Sequence, residues 1–438
     1  MTTAGMAEHG ATIFAVASGV GRAAITVMRI TGPRCCFILD RLCQRRPPPR
    51  VAALRGLRDP TGDVLDRALV LWFPGPASYT GEDCAELHLH GGRAVLAAVS
   101  EALLTEGARP AEPGEFTRRA FLNGRLDLLQ AEAIADLVDA ETDAQRRQAL
   151  TQMEGALGAL YRGWTARLVL LLAAQEALID FPDEDLPPEA ADDMVSGLAA
   201  LRDEIAAHLD DRRRGERIRE GLVFAIIGPP NAGKSTLINA LARREVAIVS
   251  QHPGTTRDVL EVRLDIGGVP ATLLDTAGLR DTDDPIEAEG VRRARARAAD
   301  ADLVIELVDA TTPAWVRGAD GAAVLRIATK IDLAPAPADV ALGVSARVGT
   351  GMDRLEHRLV ETAGLLTSRA GPPPLTRARH RAALLEAAER LTSAIEAPLA
   401  ELRGEDLRLA LRAIGRVTGQ VGVEDVLDSV FRQFCIGK

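Results

Sequence analysis

Gly228-Pro-Pro-Asn-Ala-Gly-Lys-Ser-Thr236 is the stretch whose reading decides the fold. The run before it, Leu222-Val-Phe-Ala-Ile-Ile227, has the length and composition of a buried strand, and the run after it, Leu237-Ile-Asn-Ala-Leu-Ala-Arg243, reads as a helix. A strand, a glycine-bounded loop and a helix N-terminus form an anion cradle, because backbone N–H groups and the helix dipole converge on phosphate oxygens. In such a cradle Lys234 reaches the β- and γ-phosphates and Ser235 ligates Mg²⁺, while Asn231, Ala232, Gly233 and Thr236 complete the loop. A chance match in an unrelated glycine-rich turn would lack the flanking strand and helix.

The rest of a guanine-nucleotide site follows in order. Asp275-Thr276-Ala277-Gly278 ends the apolar strand-like run Val269-Pro-Ala-Thr-Leu-Leu274. A carboxylate there reaches the Mg²⁺ shell through water, and the glycine N–H is available to the γ-phosphate, so the turn senses the third phosphate. Between the two elements lies His252-Pro-Gly-Thr-Thr-Arg-Asp258. Thr255 or Thr256 can add a hydroxyl to Mg²⁺ when this loop closes, with Thr256 the choice, and Gly254 supplies backbone freedom. Thr329-Lys330-Ile-Asp332 follows the strand-like Ala323-Val-Leu-Arg-Ile-Ala328. The Asp332 carboxylate accepts two hydrogen bonds, from N1–H and the exocyclic amine of guanine, a donor pair adenine lacks. Ser345-Ala346-Arg347 completes the base pocket.

Length and composition agree with this reading. A chain of 438 residues should hold about three domains. The net charge of −10 argues against a general nucleic-acid coat, although it leaves room for tRNA on a local basic patch. Arg-rich runs at 211–219, 292–297 and 377–381 are the candidates, against the plainer reading of solvated helix faces. Five cysteines, Cys35, Cys36, Cys43, Cys84 and Cys435, show no metal spacing and no even framework. No apolar run reaches the roughly 18 residues of a membrane span, and no secretory signal is read at the N-terminus, so a cytoplasmic protein is expected.

Residues 1–122 mix short β-type runs (Thr12–Val16, Ala24–Ile30, Ala68–Phe73) with helix and read as an α+β domain. Helical periodicity occupies 123–218, broken at Asp180-Phe-Pro-Asp-Glu-Asp-Leu-Pro-Pro188, and resumes in 369–438 after Ala370-Gly-Pro-Pro-Pro374. The nucleotide-binding α/β domain lies between, at 219–368. The predicted class is multidomain α/β plus α: a Ras-like P-loop GTPase domain inserted into a discontinuous helical bundle, behind an N-terminal α+β domain. Two separate helical domains are the alternative.

The phosphate loop, Gly254-Thr-Thr-Arg-Asp258, Asp275–Gly278 and Ser345–Arg347 together resemble the TrmE/Era/EngA class of translation-linked GTPases. The chain end Cys435-Ile-Gly-Lys438 and the stretch 114–138, with Ile25–Pro33 and Tyr79–Leu87, narrow the resemblance to the MnmE (TrmE) family of tRNA uridine-modification GTPases. That resemblance implies a K⁺-dependent GTPase whose cycle drives installation of an aminomethyl or carboxymethylaminomethyl group at carbon 5 of the wobble uridine. It implies a homodimer through the N-terminal domain with GTP-dependent contact between G domains, and a partner, the FAD-binding MnmG-like (GidA) protein. No flavin fingerprint precedes a helix in this chain.

It also implies a tetrahydrofolate one-carbon donor, of 5-formyl or methylene type, bound by the N-terminal domain through Arg29, Glu86, Arg125 and Lys438. Arg125, read at a helix start, stands where lysine is common. By spacing alone these residues form no constellation, and each reads as an ordinary salt-bridge or surface residue. For K⁺ the resemblance implies Asn231, with Ser250, His252 and Thr255 completing the shell; the bland reading is that Asn231 only shapes the loop. Thr329 stands where most relatives have asparagine. Asp281 stands where they place a glutamate that positions water, with Glu287 and Glu289 as substitutes. Cys435 reads as a functional thiol in the family-like tail, or as a buried apolar residue beside Phe434. His88 and His90 share one strand face and can meet one ion, but no third ligand has convincing spacing, so structural or pocket histidines are favoured. The competing function is an Era-like switch in ribosome assembly without one-carbon chemistry.

Overall fold

The structure, a computed structural model, describes residues 10–19, 21–180, 188–246, 261–275, 300–313, 323–368 and 372–420, with 427, 430, 431, 434 and 437. These fall into two units, 1–135 with 414–438, and 136–413.

Two-residue alternation builds the first unit. In β5 (Cys84–Gly91) Ala85, Leu87 and Leu89 are buried, while Glu86, His88 and His90 take the other face. Its neighbour β2 (Ala23–Thr31) does the same with Met28 and Ile30 buried and Arg29 opposite. With β1 (Ile13–Val16), β3 (Ala53–Arg58), β4 (Val64–Phe73) and β6 (Arg109–Pro110) they form a sheet of order β3-β4-β5-β2-β1-β6. All its pairs are antiparallel except β1 with β6. Helices α1 (Cys35–Cys43) and α2 (Arg93–Thr105) cover its apolar face with Ile38, Leu39, Leu42, Val99 and Leu103. Cys35, Cys43 and Cys84 are buried free thiols in this layer, and burial pushes the Cys43 thiol up to about 12. After α3 (Glu115–Leu122), α4 (Leu128–Val138) packs Leu128 and Ala131 against Phe431 and Phe434 of the C-terminal tail.

The second unit holds the α/β sheet and most of the helices. Strands β7 (Leu222–Ile227), β8 (Glu261–Ile266), β9 (Val269–Asp275), β10 (Leu303–Asp309), β11 (Ala323–Thr329) and β12 (Leu342–Gly343) run in the order β12-β11-β10-β7-β9-β8, parallel but for β8. Every residue of β9 and β10 is buried, the signature of strands covered on both faces. Helices α9 (Lys234–Leu241) and α10 (Met352–Leu366) contribute Leu237, Leu241, Leu355 and Leu359 to that core. β8 and β9 join through Gly267-Gly268, whose φ values of 62° and 87° are what a two-residue type I′ turn demands.

Around it lie α5 (Asp143–Met153), α6 (Ala156–Asp180), α7 (Pro188–Leu209), α8 (Arg214–Glu220), α11 (Ala378–Glu396) and α12 (Ala400–Thr418). α7 packs along α11, burying Leu198, Leu201 and Ile205 beside Leu384, Ala387 and Leu391. Truncating any of these leucines to alanine would cost about 2–5 kcal/mol. The two chain segments that connect the sheet to the helices run side by side. Arg214 donates to the carbonyls of Ser368 (3.0 Å) and Pro372 (2.9 Å), and a Cβ on Gly215 would sit 2.2 Å from the Leu375 carbonyl. Arg381 reaches back to Asp211 (2.6 Å) and Glu216 (2.8 Å). Just before Arg214, Arg212 and Arg213 both hold left-handed backbone, φ 53° and 57°, at a cost of about 1–2 kcal/mol each for a side chain with a Cβ.

His208, in the last turn of α7, is 4% exposed and stands edge-on to Tyr161 and Trp164 of α6. Burial pushes its pKa down to about 4; Asp211 works upward, Arg381 and Arg214 downward. The unfolded ring titrates at about 6.5, so unfolding takes up a proton between these values. Stability is therefore full above the unfolded pKa and falls as pH drops towards the folded one, by about 3 kcal/mol in total. Urea unfolding of His208→Leu should show that slope removed, and an unchanged slope would refute the assignment.

Candidate functional site

The phosphate loop leaves the carboxyl end of β7, where ligands gather in open α/β sheets. Three backbone conformations shape it. Gly228 has φ 155°, and a Cβ there would lie 2.7 Å from the Leu307 carbonyl of β10, so the close approach requires glycine. Asn231 (φ 64°) and Gly233 (φ 88°) are left-handed, the latter at the N-cap of α9. The helix begins at Lys234, three residues before the apolar run that marked it in sequence, and ends at Leu241.

Lys234 is buried, its Nζ donating to the carbonyls of Gly228 (2.7 Å) and Pro229 (2.8 Å). Burial lowers its pKa, and Asp275 opposes that shift. Ser235 Oγ donates to Asp275 Oδ2 at 2.9 Å, joining the loop to the end of β9. These two hard oxygen groups are a fitting donor set for Mg²⁺. Ala232 is buried beneath the loop, and Thr236 is exposed on α9.

The base-recognition segment follows β11. Thr329 is buried and its hydroxyl lies 2.7 Å from the Ala232 carbonyl and 3.2 Å from that of Val308. One hydroxyl proton serves one of them at a time, and the shorter contact ties this segment to the phosphate loop. Thr329→Val keeps the shape but removes the donor; it should destabilise the protein by about 1–3 kcal/mol and weaken GTP binding, with Thr329→Ser retaining both. Thermal unfolding and nucleotide titration would measure this. Lys330 Nζ pairs with Asp309 Oδ2 at 2.5 Å. Burial works upward on that carboxyl, but Lys330 and Thr311 outweigh it and hold its pKa below the usual value. Asp309 borders the candidate site through Lys330, and the sequence reading missed it. Its signal was an apolar run, Leu303-Val-Ile-Glu-Leu-Val-Asp309, ending in aspartate just as β9 does. Asp332 is exposed, Ser345 is buried with its N–H on the Thr350 carbonyl (2.8 Å), Ala346 is half-buried and Arg347 exposed. The described candidates from four separate stretches thus gather at the carboxyl ends of the strands.

Two family models match the chain. One, described as "GTP-binding protein TrmE N-terminus", covers residues 12–125, and the other, "MnmE helical domain", covers 128–435. The tRNA modification GTPase MnmE of Gluconacetobacter diazotrophicus is 61% identical over 97% of this chain and 98% of its own length. The chain belongs to the MnmE family. The proteins of the same description from Granulibacter bethesdensis and Rhodospirillum rubrum are each 57% identical, over 98% of this chain and 99% of theirs.

The other MnmE-family candidates lie in the first unit. β2 and β5 place Arg29 directly opposite Glu86, and the two side chains pair at 2.9 Å. The guanidinium also lies 5.3 Å from the Tyr79 ring and 5.9 Å from that of Phe116, two platforms the sequence reading missed. Arg125 lies in the turn between α3 and α4, not at a helix start, because Asp127 caps α4: its Oδ1 accepts the Gln130 N–H at 2.8 Å and its own N–H donates to Gln130 Oε1 at 3.0 Å. Its stem borders Gly81, where a Cβ would lie 3.3 Å from the arginine Cγ. In the tail, Gly437 (φ 103°) abuts β1, with a Cβ placed 2.1 Å from the Val16 carbonyl. His90 pairs with Asp66 (2.7 Å), and His88 Nε2 lies 3.6 Å from Glu86.

Ser250, His252, Gly254, Thr255, Thr256, Thr276, Ala277, Gly278, Asp281, Glu287, Glu289, Cys435, Lys438 and the basic run 292–297 lie outside the described residues. In the other two basic runs Arg212 and Arg213 are exposed, while most of the remaining arginines pair with carboxylates. Arg213 pairs with Glu216, Arg217 with Asp302, and Arg219 and Arg377 both with Asp136. Among the described residues no helix is long and apolar enough to cross a membrane.

Proposed function

We propose that this MnmE-family chain is a GTP hydrolase acting in tRNA modification, and that its cycle serves a conformational change rather than hydrolysis for its own sake. The observation that carries the reading is the convergence of Lys234, the Ser235–Asp275 pair and the Thr329–Asp332 segment at the carboxyl ends of the strands, in a chain of this family. Lys234 and the loop N–H groups of 231–236 hold the β- and γ-phosphates, and Asp332 with Ser345–Arg347 reads guanine. Ser235 and Thr256 hold Mg²⁺, which supplies charge neutralisation between the phosphates. Asp281 positions water, and Asn231, Ser250, His252 and Thr255 hold K⁺.

The finer chemistry follows the family resemblance. The product is an aminomethyl or carboxymethylaminomethyl group at carbon 5 of a wobble uridine, made in the cytoplasm with a flavin-binding MnmG-like partner. Residues 1–122 act as the folate and dimerisation domain, 123–218 with 369–438 as the helical domain, and 219–368 as the inserted G domain. Arg29, Glu86, Arg125 and Lys438 hold the tetrahydrofolate donor, and Cys435 acts as a functional thiol. Support comes from the Arg29–Glu86 pair between two aromatic rings, since a carboxylate suits an aminopyrimidinone edge and a cation suits a glutamate tail. Gly437 against β1 brings the tail to the strand beside Arg29.

The test is steady-state GTP hydrolysis in matched K⁺ and Na⁺ buffers, with Asn231→Ala alongside. Activation by K⁺ that the variant loses is the expected result. Equal rates in both salts would sink the K⁺ mechanism and leave a partner-activated switch.

A further inference from the structure

Besides the two connecting segments, the G domain meets the helices at a third place. The tip of the β8–β9 hairpin rests on the first turn of α5. The Gly268 carbonyl accepts the Ala144 N–H at 2.9 Å, one of the amides a helix N-terminus leaves without an intrahelical partner. Beside it Arg263 on β8 pairs with Glu141 at 3.3 Å. The contact is small: one backbone hydrogen bond, one exposed ion pair, and the half-buried Ala144 side chain packed on the edge of the sheet's core.

Beneath it lies a cavity of about 600 Å³, lined among others by Gln148, Leu157, Arg214, Val269, Pro373 and Thr376. Gln148 Oε1 and Thr376 Oγ1 are buried there without a hydrogen-bond partner among the described residues. A cleft of this size leaves the joint room to move without displacing packed side chains. The left-handed backbone of Arg212 and Arg213 sits in one of the connecting segments. The far end of the hairpin is the nucleotide site itself. β9 is buried throughout and ends at Asp275, which is bonded to Ser235.

We infer that the hairpin tip and the first turn of α5 form a releasable stop, and that nucleotide-driven release of this contact passes the GTPase cycle to the helices. Asp143, Ala144 and Gly268 are then positioning residues for the tRNA-modifying step and not for GTP hydrolysis. This rests on the conformational cycle proposed above.

Two measurements test it. In the unaltered protein, hydrogen exchange of the segment holding the Ala144 amide should be faster in either the GDP state or the state with a non-hydrolysable GTP analogue. Equal protection in the nucleotide-free, GDP and analogue states would overturn the stop. The second uses a reversible lock. A Cβ on Gly268 would lie 3.8 Å from that of Asp143, the separation a disulfide needs. In Asp143→Cys/Gly268→Cys, with the bridge confirmed by peptide mass, oxidation should leave GTP hydrolysis within about twofold and slow reconstituted tRNA modification by about tenfold, with recovery on thiol reduction. Undiminished modification in the oxidised form would refute the inference, as would parallel loss of hydrolysis. Failure of the parent protein itself to hydrolyse GTP or modify tRNA would instead refute the proposed function.

Discussion

Lys234→Ala should lower GTP hydrolysis by about 10²–10³-fold, the range seen when one preorganised donor to developing charge is removed. The reason lies in what holds the ammonium before nucleotide arrives. Lys234 is 7% exposed, and the carbonyls of Gly228 and Pro229 keep its Nζ over the loop. A partly desolvated cation acts on phosphate oxygens far more strongly than one in water, and it needs no reorganisation when they arrive. Lys234→Arg should not rescue, because a planar guanidinium cannot take the place of a compact point charge between two carbonyls. Both carbonyls belong to half-exposed residues that water can reach, so thermal stability should change little. Steady-state hydrolysis beside a melting curve settles it: a rate within about threefold of the parent would remove Lys234 from the phosphate site.

Asp332→Asn should exchange guanine for xanthine. A carboxylate offers acceptors only, which suits the N1–H and amine of guanine. A carboxamide offers one acceptor and one donor, so its NH₂ faces the guanine amine, donor against donor. Xanthine carries a carbonyl at that position and pairs with both groups. Sites that leave a buried polar group unpaired discriminate strongly, so the preference should move by on the order of 10³-fold. Competition between GTP and XTP for the variant is the measurement, and retained GTP preference would show that Asp332 does not read the base. The side chain is exposed in the structure, free to meet an incoming base, while Thr329 and Lys330 before it are tied to the loop and to Asp309.

How much was legible in sequence followed the distance over which each feature is determined. The nucleotide site was readable because each part is a short contiguous run ending a strand, and strand order then brings the parts together. Thr329 read only as a departure from the asparagine of most relatives. The structure gives its hydroxyl a definite task, a bond to Ala232 across 97 positions that no local pattern encodes. The Arg29–Glu86 pair was hidden for the same reason: it depends on the β2–β5 register, which joins positions 57 apart. The misplacement of Arg125 was avoidable, since Asp127-Leu-Leu-Gln130 has the spacing of a capping box, which starts the helix at Leu128. The ion pairs within the basic runs were hidden because charge composition says nothing of partners. Asp136, which takes both Arg219 and Arg377, lies far from each in the chain.

The pairing of α7 with α11 has a consequence for how the chain is made. α7 ends at Leu209 and α11 begins at Ala378, so a ribosome adding about 5–20 residues per second leaves the Leu198, Leu201 and Ile205 face of the newborn helix uncovered for roughly 10–30 s. The whole of β7–β12 emerges within that interval and can close its own sheet first. Until α11 arrives, the waiting helix is an apolar surface that chaperones or neighbouring nascent chains can occupy. Slowing translation between positions 222 and 366 would lengthen this exposure, and lower the yield of native protein, without altering one contact of the finished molecule.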